Sequence, residues 1–450
     1  MKVAKFGGSS VASAAQLQKV ANIIISDSNR KFVVVSAPGK RHSGDQKVTD
    51  LLIELGERSE HKEDFSSVLE ALLTRFNEIL EELNLSKEIV DEVKDNLLSI
   101  LHGETVFTHR MDALKATGED TLAKILSQYL NSLGHKSTYV HPKEAGIIVS
   151  DEPGRAQVLD ESFDHLYKLR GKEEIQVIPG FYGYTKDNKL MAFPRGGSDI
   201  TGSIVAAGVK ADLYENFTDV DSVYCVNPKI VHSPQEINEL TYKEMRELSY
   251  AGFSVFHDEA LIPAFKAKIP VSIKNTNHPE KKGTMISATR DITNGPVVGI
   301  ASDNGFISIY VSKYLMNREK GFGRHLLQIL EEEDISFEHA PSGIDDMSVI
   351  LRENQLTPEK EKIVIQRIKQ ELKVDTVTID RDLAMIMIVG EGMNSTIGVT
   401  SKASTAFSDA GVNIEMINQG SSEVSMMFGV KAERLEPAVQ SLYKAFFETK

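Results

Sequence analysis

Two short stretches carry the residue types that phosphate chemistry needs. The first is Lys5-Phe6-Gly7-Gly8-Ser9-Ser10, behind the apolar pair Val3-Ala4 and ahead of a helical pattern. Two adjacent glycines remove both Cβ atoms, so backbone N–H groups can close on an anion, and Lys5 adds a full positive charge beside them. The second is Arg195-Gly196-Gly197-Ser198-Asp199, where Ser198 is placed to cap a helix running through Ile204 to Ala207. A glycine-rich helix N-terminus attracts anions through its dipole and its unpaired N–H groups. Neither stretch is a Walker A loop, since Gly-x-x-x-x-Gly-Lys-Ser/Thr is absent. Either alone reads as an ordinary turn or a capped helix. The same chemistry twice, each time with a cation, points to phosphate binding.

The elements that must position these stretches read as a parallel α/β unit. Ser13 with Gln16 three later forms a capping-box pattern, and Leu17, Val20, Ile23 and Ile24 make one helical face. Lys31 to Ser36 is a continuous apolar strand of the buried parallel kind. The resulting βαβ crossover is right-handed by rule. The loop Ala37 to His42 lies at that strand's carboxyl end, where open α/β sheets bind ligands. Thr49 and Asp50 close it and start the next helix. Helical spacing then continues to His102, with Ser86 as an N-cap. The acidic residues of that region read as a solvated face. Gly118-Glu119 precedes a helical face that Gly134 ends. Ile175 to Phe181 and Leu213 to Thr218 are strands. Asp219, Asp221, Tyr224, Pro228 and Lys229 follow the second of them, as a surface turn or as nucleotide contacts.

With 450 residues, about three domains are expected. A net charge of −14 argues against a nucleic-acid or anionic-membrane partner. The single cysteine, Cys225, excludes an intrachain disulfide and a thiolate metal cluster and fits a reducing cytoplasm. The start of the chain has no long apolar run of the signal-peptide kind, and Leu383 to Val389 is too short to span a bilayer.

Beyond Gly295-Pro296 the sequence repeats itself. One constant offset maps Gly321 on Gly398, Glu338 on Glu415, Gly343 on Gly420 and Ser348 on Ser425. Each copy reads strand, helix, strand, strand, helix, which predicts a βαββαβ module twice. The expected division is 1–294, 295–380 and 381–450. A sensing pair behind a large α/β domain is the natural reading.

Together these pieces resemble aspartate kinase, the monofunctional type with two C-terminal ACT modules. The resemblance covers essentially the whole chain. It rests on Lys5 to Ser10, Arg195 to Asp199, Phe217-Thr218-Asp219-Val220-Asp221 with Pro228-Lys229, and the repeat. It implies an amino-acid-kinase fold, a three-layer sandwich around a mostly parallel sheet, and two ferredoxin-like ACT modules. It also implies transfer of the ATP γ-phosphoryl to the side-chain carboxylate of L-aspartate, with Mg²⁺ held through the nucleotide and no protein metal site. By that resemblance Lys5, Gly7, Gly8 and Asp199 handle the phosphoryl group. Thr49, Glu119, Phe181, Arg195 and Ser198 hold aspartate. Lys5, Phe6, Gly7, Gly8, Ser9, Thr218, Asp219, Tyr224 and Lys229 meet ATP. Met316, Gly321, Phe322, Gly323, Phe337 and Glu338 match an effector pocket for a feedback amino acid, lysine foremost. A homodimer or larger assembly through the ACT modules, in the cytoplasm, is implied as well.

The chemistry is coherent on its own terms. A carboxylate nucleophile is already ionised at neutral pH, so no general base is required. Positioning and charge neutralisation carry the catalysis. A bidentate arginine, Arg195, suits the substrate's α-carboxylate, and Glu119 suits its ammonium. The sequence departs from the family at three places. The literal His102-Gly103-Glu104 is passed over for Thr117-Gly118-Glu119, which has the following helix. Ser254, in Gly252 to His257, stands where the family has lysine, and Phe217 and Lys229 replace tryptophan and arginine. The rival readings are a kinase for another acidic amino acid and a non-catalytic amino-acid sensor.

Overall fold

A computed structural model describes residues 1–253, 259–292, 295–420 and 424–448. Ser254 and His257 lie outside the described residues. The chain divides into two compact units. The first comprises Met1–Val223, Glu236–Arg246 and Ser254–Arg290, and the second Tyr224–Gln235, Glu247–Phe253 and Asp291–Lys450.

The first unit is built on a sheet whose central strand is β1 (Lys2–Phe6), flanked by β2 (Arg30–Val35). The strands β3 (Ser137–Tyr139), β4 (Ile175–Pro179), β5 (Leu213–Thr218), β6 (Glu239–Thr241), β7 (Val271–Asn275) and β8 (Thr284–Ser287) complete it. Their order is β6-β8-β7-β5-β1-β2-β4-β3, eight strands in all. Only β7 and β8 pair antiparallel; the other neighbours are parallel. Strands in such a sheet are buried on both faces, which is why Lys31 to Ser36 reads as an unbroken apolar run.

Alternation along β1 assigns the faces. Ala4 and Phe6 belong to a core shared with α1 (Ala14–Ile25), α2 (Val48–Glu60), α3 (Ser66–Glu82), α4 (Glu88–His102) and α5 (Phe107–Ser132). Val3 and Lys5 point the other way, and Lys5 meets α6 (Gly197–Gly208) there. Helix α5 runs unbroken through Gly118. A Cβ at 118 would lie 2.8 Å from the Ala37 Cβ, so glycine lets this helix close on the β2 loop.

Several local expectations meet a different outcome. Ser198 does not cap α6. Gly196 is the N-cap, in the left-handed region at φ 81°, and Ser198 sits inside the first turn. The capping box at Ser13 is half formed. Ser13 Oγ accepts from the Gln16 N–H at 3.4 Å, while the Gln16 amide side chain donates to Asn277 instead. The N-cap of α4 is Lys87, with Ser86 Oγ accepting from Glu88 N–H at 3.4 Å.

The second unit carries one antiparallel sheet. Its strands are β9 (Gly299–Ser312), β10 (Asp346–Arg352), β11 (Thr376–Val389), β12 (Met416–Asn418) and β13 (Ser425–Lys431), in the order β10-β9-β11-β13-β12. Both repeat copies share it. The outer half of β9, Phe306 to Ser312, pairs with β10 on one side and with Leu383 to Thr376 of β11 on the other, and the inner half, Gly299 to Asp303, pairs with Val389 to Met385 of β11. Each 14-residue strand therefore serves both copies, and β11 runs straight across position 380. The second strand of the first copy's repeat pattern, which falls over residues 336–343, reduces to isolated bridges, His339 with Ile350 and Ser342 with Met347. No helix among the described residues is long and apolar enough to cross a membrane.

Candidate active site

The first diglycine turn opens at the carboxyl end of a central strand, whereas the second follows the short strand Leu190–Ala192 of a separate two-stranded sheet and opens α6. The first follows β1. Gly7 N–H donates to the Phe217 carbonyl at 3.0 Å, so that amide is already committed. Gly8 and Ser9 then line a cleft of about 650 Å³, a size suited to a small ligand. Gly196, Gly197, Ser198 and Asp199 line the same cleft from the first turn of α6. The first-turn amides of Gly197 and Ser198 have no intrahelical acceptor and stand ready for an anion, whereas the Asp199 N–H already donates to the Gly196 carbonyl at 2.9 Å.

Lys5 joins the two turns. It is 5% exposed, and its Nζ donates to Asp199 Oδ1 at 2.5 Å. The β1–β5 register sets Asn216 beside Lys5, and Asn216 Nδ2 donates to the same Asp199 oxygen. Tyr214 OH donates to the Asp199 carbonyl at 3.2 Å. The ammonium is thus fixed in direction by a carboxylate that is itself held twice.

Glu119, delivered by α5, enters from the opposite wall and is 6% exposed. Ser198 Oγ donates to its Oε1 at 3.5 Å, whereas its Oε2 has no hydrogen-bond partner among the described residues. Burial pushes its carboxyl up to about 8, against the opposing pull of the Ala37 amide, Ser198 and Lys5. Phe181 holds φ 81°, a left-handed conformation rare for a bulky residue. Its N–H donates to Thr201 Oγ1 at 2.9 Å and its carbonyl accepts from Phe193 N–H at 2.8 Å, which fixes it at the cleft's edge.

Of the residues singled out in the sequence, the cleft gathers Gly8, Ser9, Thr49, Glu119, Phe181, Ser198, Asp199 and Asp219. The Phe6 ring is turned into the core, stacked on Phe217 at 4.9 Å. Arg195 is exposed, immediately ahead of the cleft-lining Gly196. Thr218 ends β5 and donates to Asp219 Oδ1 at 3.2 Å. Tyr224 and Lys229 fall in the segment Tyr224–Gln235 of the second unit. The cleft also contains Gly39, Lys40, His42, Ser43 and Lys47. The β2 loop was a visible ligand-site position, but nothing in its composition showed which of its side chains turn inward.

In the second unit Met316 and Phe322 are buried in the core of the first repeat copy. Gly321 caps α7 (Phe322–Glu332) in the left-handed region, and a Cβ at Gly323 would touch Met347 at 3.7 Å. Phe337 is exposed. Glu338 turns to Arg352, whose Nε lies 3.5 Å from its Oε1, and accepts from the Tyr250 hydroxyl. Those two partners were not visible in the sequence.

The sequence model of the amino acid kinase family matches residues 1–275, and that of the ACT domain matches residues 386–446. Aspartokinase 3 of Bacillus subtilis is 57% identical over 448 residues, covering 99% of each chain. The solved aspartate kinase of Clostridium acetobutylicum has a TM-score of 0.87 at 39% identity, covering 99% of this chain and 100% of that one. Aspartokinase III of Escherichia coli, solved in complex with lysine and aspartate in a T-state, has a TM-score of 0.78 at 25% identity, covering 99% of each. Two glycine turns joined by one lysine in the first unit, and a sheet built from two repeats in the second, thus belong to a member of the aspartokinase family of phosphotransferases.

Proposed function

We propose that this chain transfers the γ-phosphoryl group of ATP to the side-chain carboxylate of L-aspartate, giving 4-phospho-L-aspartate. The observation that carries the reading is the convergence of both diglycine turns, the half-satisfied Glu119 and Asp199 on one cleft, with Lys5 held directly behind Asp199. A carboxylate oxygen of aspartate bonds to the γ-phosphorus as the bridging P–O bond to the β-phosphate breaks, and ADP leaves with that electron pair. Lys5 and the amides of Gly8 and of the α6 first turn neutralise the charge spread over the transferring oxygens. The Glu119 Oε2 takes the substrate ammonium, with Thr49 and Ser198 beside it, and Arg195 takes the α-carboxylate. Thr218, Asp219, Tyr224 and Lys229 serve the nucleotide. Mg²⁺ in such sites rests largely on the phosphates and would be held here through the nucleotide. The ion, when bound, shields the β- and γ-phosphate charge.

Kinase activity is assigned to residues 1–294 and sensing to 295–380 and 381–450. The Escherichia coli relative solved with lysine and aspartate supports lysine as the effector. Glu338, Gly321, Gly323 and Phe337 form its receiving surface over the buried Met316 and Phe322, and the effector ammonium competes with Arg352 and Tyr250 for the carboxylate. Inhibition requires that lysine bind one arrangement better than another. A cytoplasmic homodimer or larger assembly completes the proposal.

ADP release from MgATP with a panel of amino acids tests the reading: aspartate supports turnover and glutamate does not. Activity with glutamate alone would assign the chain to another acceptor. Lys5→Ala lowers kcat by roughly 10²–10³-fold with little change in Tm, and an unaltered kcat removes Lys5 from the mechanism.

The raised Glu119 carboxyl makes aspartate binding pH-dependent. Below about 8 the group is protonated in the free protein, so binding an ammonium must expel that proton. The KM for aspartate therefore falls as pH rises towards 8, by up to roughly tenfold per unit. The same group costs stability in the opposite direction. It keeps a proton that the unfolded chain has released, so its burial weakens the fold increasingly as pH rises from 4.5 to about 8. Glu119→Gln escapes this, so its Tm gains on wild type across that window while its aspartate KM loses the pH slope. A KM independent of pH in the wild-type enzyme contradicts the assigned role. Glu338→Ala shifts half-inhibition by lysine to roughly tenfold higher concentration or more; an unmoved inhibition curve places the effector elsewhere.

A further inference from the structure

One wall of the cleft is a loop, and that loop is fastened from behind. Residues 36–47 join β2 to α2, and the 39–47 part of that loop brings Lys40 and Lys47 to the cleft. The fastening is Arg75 of α3, 4% exposed and distant in sequence from every residue assigned a role above. Its Nη1 donates to Asp45 Oδ2 at 2.6 Å. Its Nη2 donates to the Gly39 carbonyl at 2.6 Å and to the Ala12 carbonyl at 3.1 Å. Arg41 grips the same Asp45 with Nε at 2.9 Å and Nη2 at 3.0 Å. The Arg41 and Arg75 guanidiniums hold Asp45 well below the usual carboxylate range.

The chain of contacts ends on the phosphate turn. Gly39 N–H donates to the Gly8 carbonyl at 2.8 Å, and a Cβ at 39 would sit 2.6 Å from the Gly8 carbonyl carbon. Arg75 therefore ties together the loop, the start of α1 and the first diglycine turn. A guanidinium is costly to bury, and here it is buried where it meets loop backbone and one loop carboxylate.

Charge shows what the loop is held for. Phosphoryl transfer between ATP and a carboxylate brings anions together, yet the cleft's lining already includes Glu119, Asp199 and Asp219. Lys5 is engaged by Asp199. Lys40 and Lys47 are the lysines among the cleft-lining residues, and no ion pair is recorded for either among the described residues.

We propose that Arg75 is a positioning residue for the transfer: through Gly39 and Asp45 it holds the 39–47 loop so that Lys40 and Lys47 face the anionic oxygens of the substrates. This rests on the phosphotransfer reading above. The oxygens are those of the ATP phosphates or of the acceptor carboxylates, and the two KM values separate these sources.

The test is a mutant cycle on the full chain, comparing Arg75→Met, Asp45→Asn, the double variant Lys40→Met/Lys47→Met, and combinations of these. Each of the three lowers kcat/KM for ATP or for aspartate by about tenfold or more. Adding Arg75→Met or Asp45→Asn to the lysine double variant then costs less than about threefold more, since the loop has nothing left to present. Losses that multiply, or an Asp45→Asn enzyme with both wild-type kcat/KM values, overturn the proposal. If Arg75→Met does not fold, Asp45→Asn supplies the same cycle. Calorimetric MgADP affinity of the same variants is read alongside. A wild-type chain without aspartate-dependent turnover defeats the phosphotransfer reading. The MgADP cycle then still decides the loop: non-additive losses sustain Arg75 as its anchor, and additive or absent losses overturn it.

Discussion

The contact between Lys5 and Asp199 spans 194 residues of sequence and 2.5 Å of space. It depends on the central position of β1. Pairing with β5 sets Asn216 beside Lys5, and the face opposite Ala4 and Phe6 turns Lys5 towards α6. A lysine on a flexible stem in water must be ordered before it can stabilise a transferring phosphoryl group. Here the ordering is complete in the folded chain, because Asp199 holds the ammonium and Asn216 holds Asp199. Charge directed before the reaction is worth more than charge recruited during it.

The same logic explains the asymmetry of the cleft's carboxylates. Asp199 is engaged by a cation and an amide, whereas Glu119 is buried with one oxygen unmatched. Native folds seldom leave a buried acceptor unmatched without a reason. The substrate ammonium proposed above would supply one, and Gly118 supplies the means, since only a residue without Cβ lets α5 come this close to Ala37.

Much of this was legible in the sequence, for identifiable reasons. The β1 strand, the diglycine turns and the β2 strand are short-range features with strong local signals, and they stand where the residues placed them. The repeat was legible because its offset is constant. What was hidden is tertiary. Ser198 has the chemistry of a cap, but Gly196 alone can take the left-handed turn, so the serine moves inward and meets Glu119. The shared strands β9 and β11 could not be read from two copies treated separately, because each strand's first half completes the other copy. Glu338 reads as a ligand carboxylate, yet only the fold reveals that Arg352 and Tyr250 already contact it. Arg75 sits in a helical stretch whose pattern speaks only of packing.

Transfer as proposed requires that one phosphoryl group lie between the two glycine turns and Lys5. A crystal structure of the protein with aspartate and a non-hydrolysable ATP analogue tests it directly. The account predicts γ-phosphate oxygens within hydrogen-bond reach of Lys5 Nζ, the Gly8 amide and the first-turn amides of α6, with the aspartate ammonium on Glu119. An analogue bound with its γ-phosphate away from either turn would contradict it.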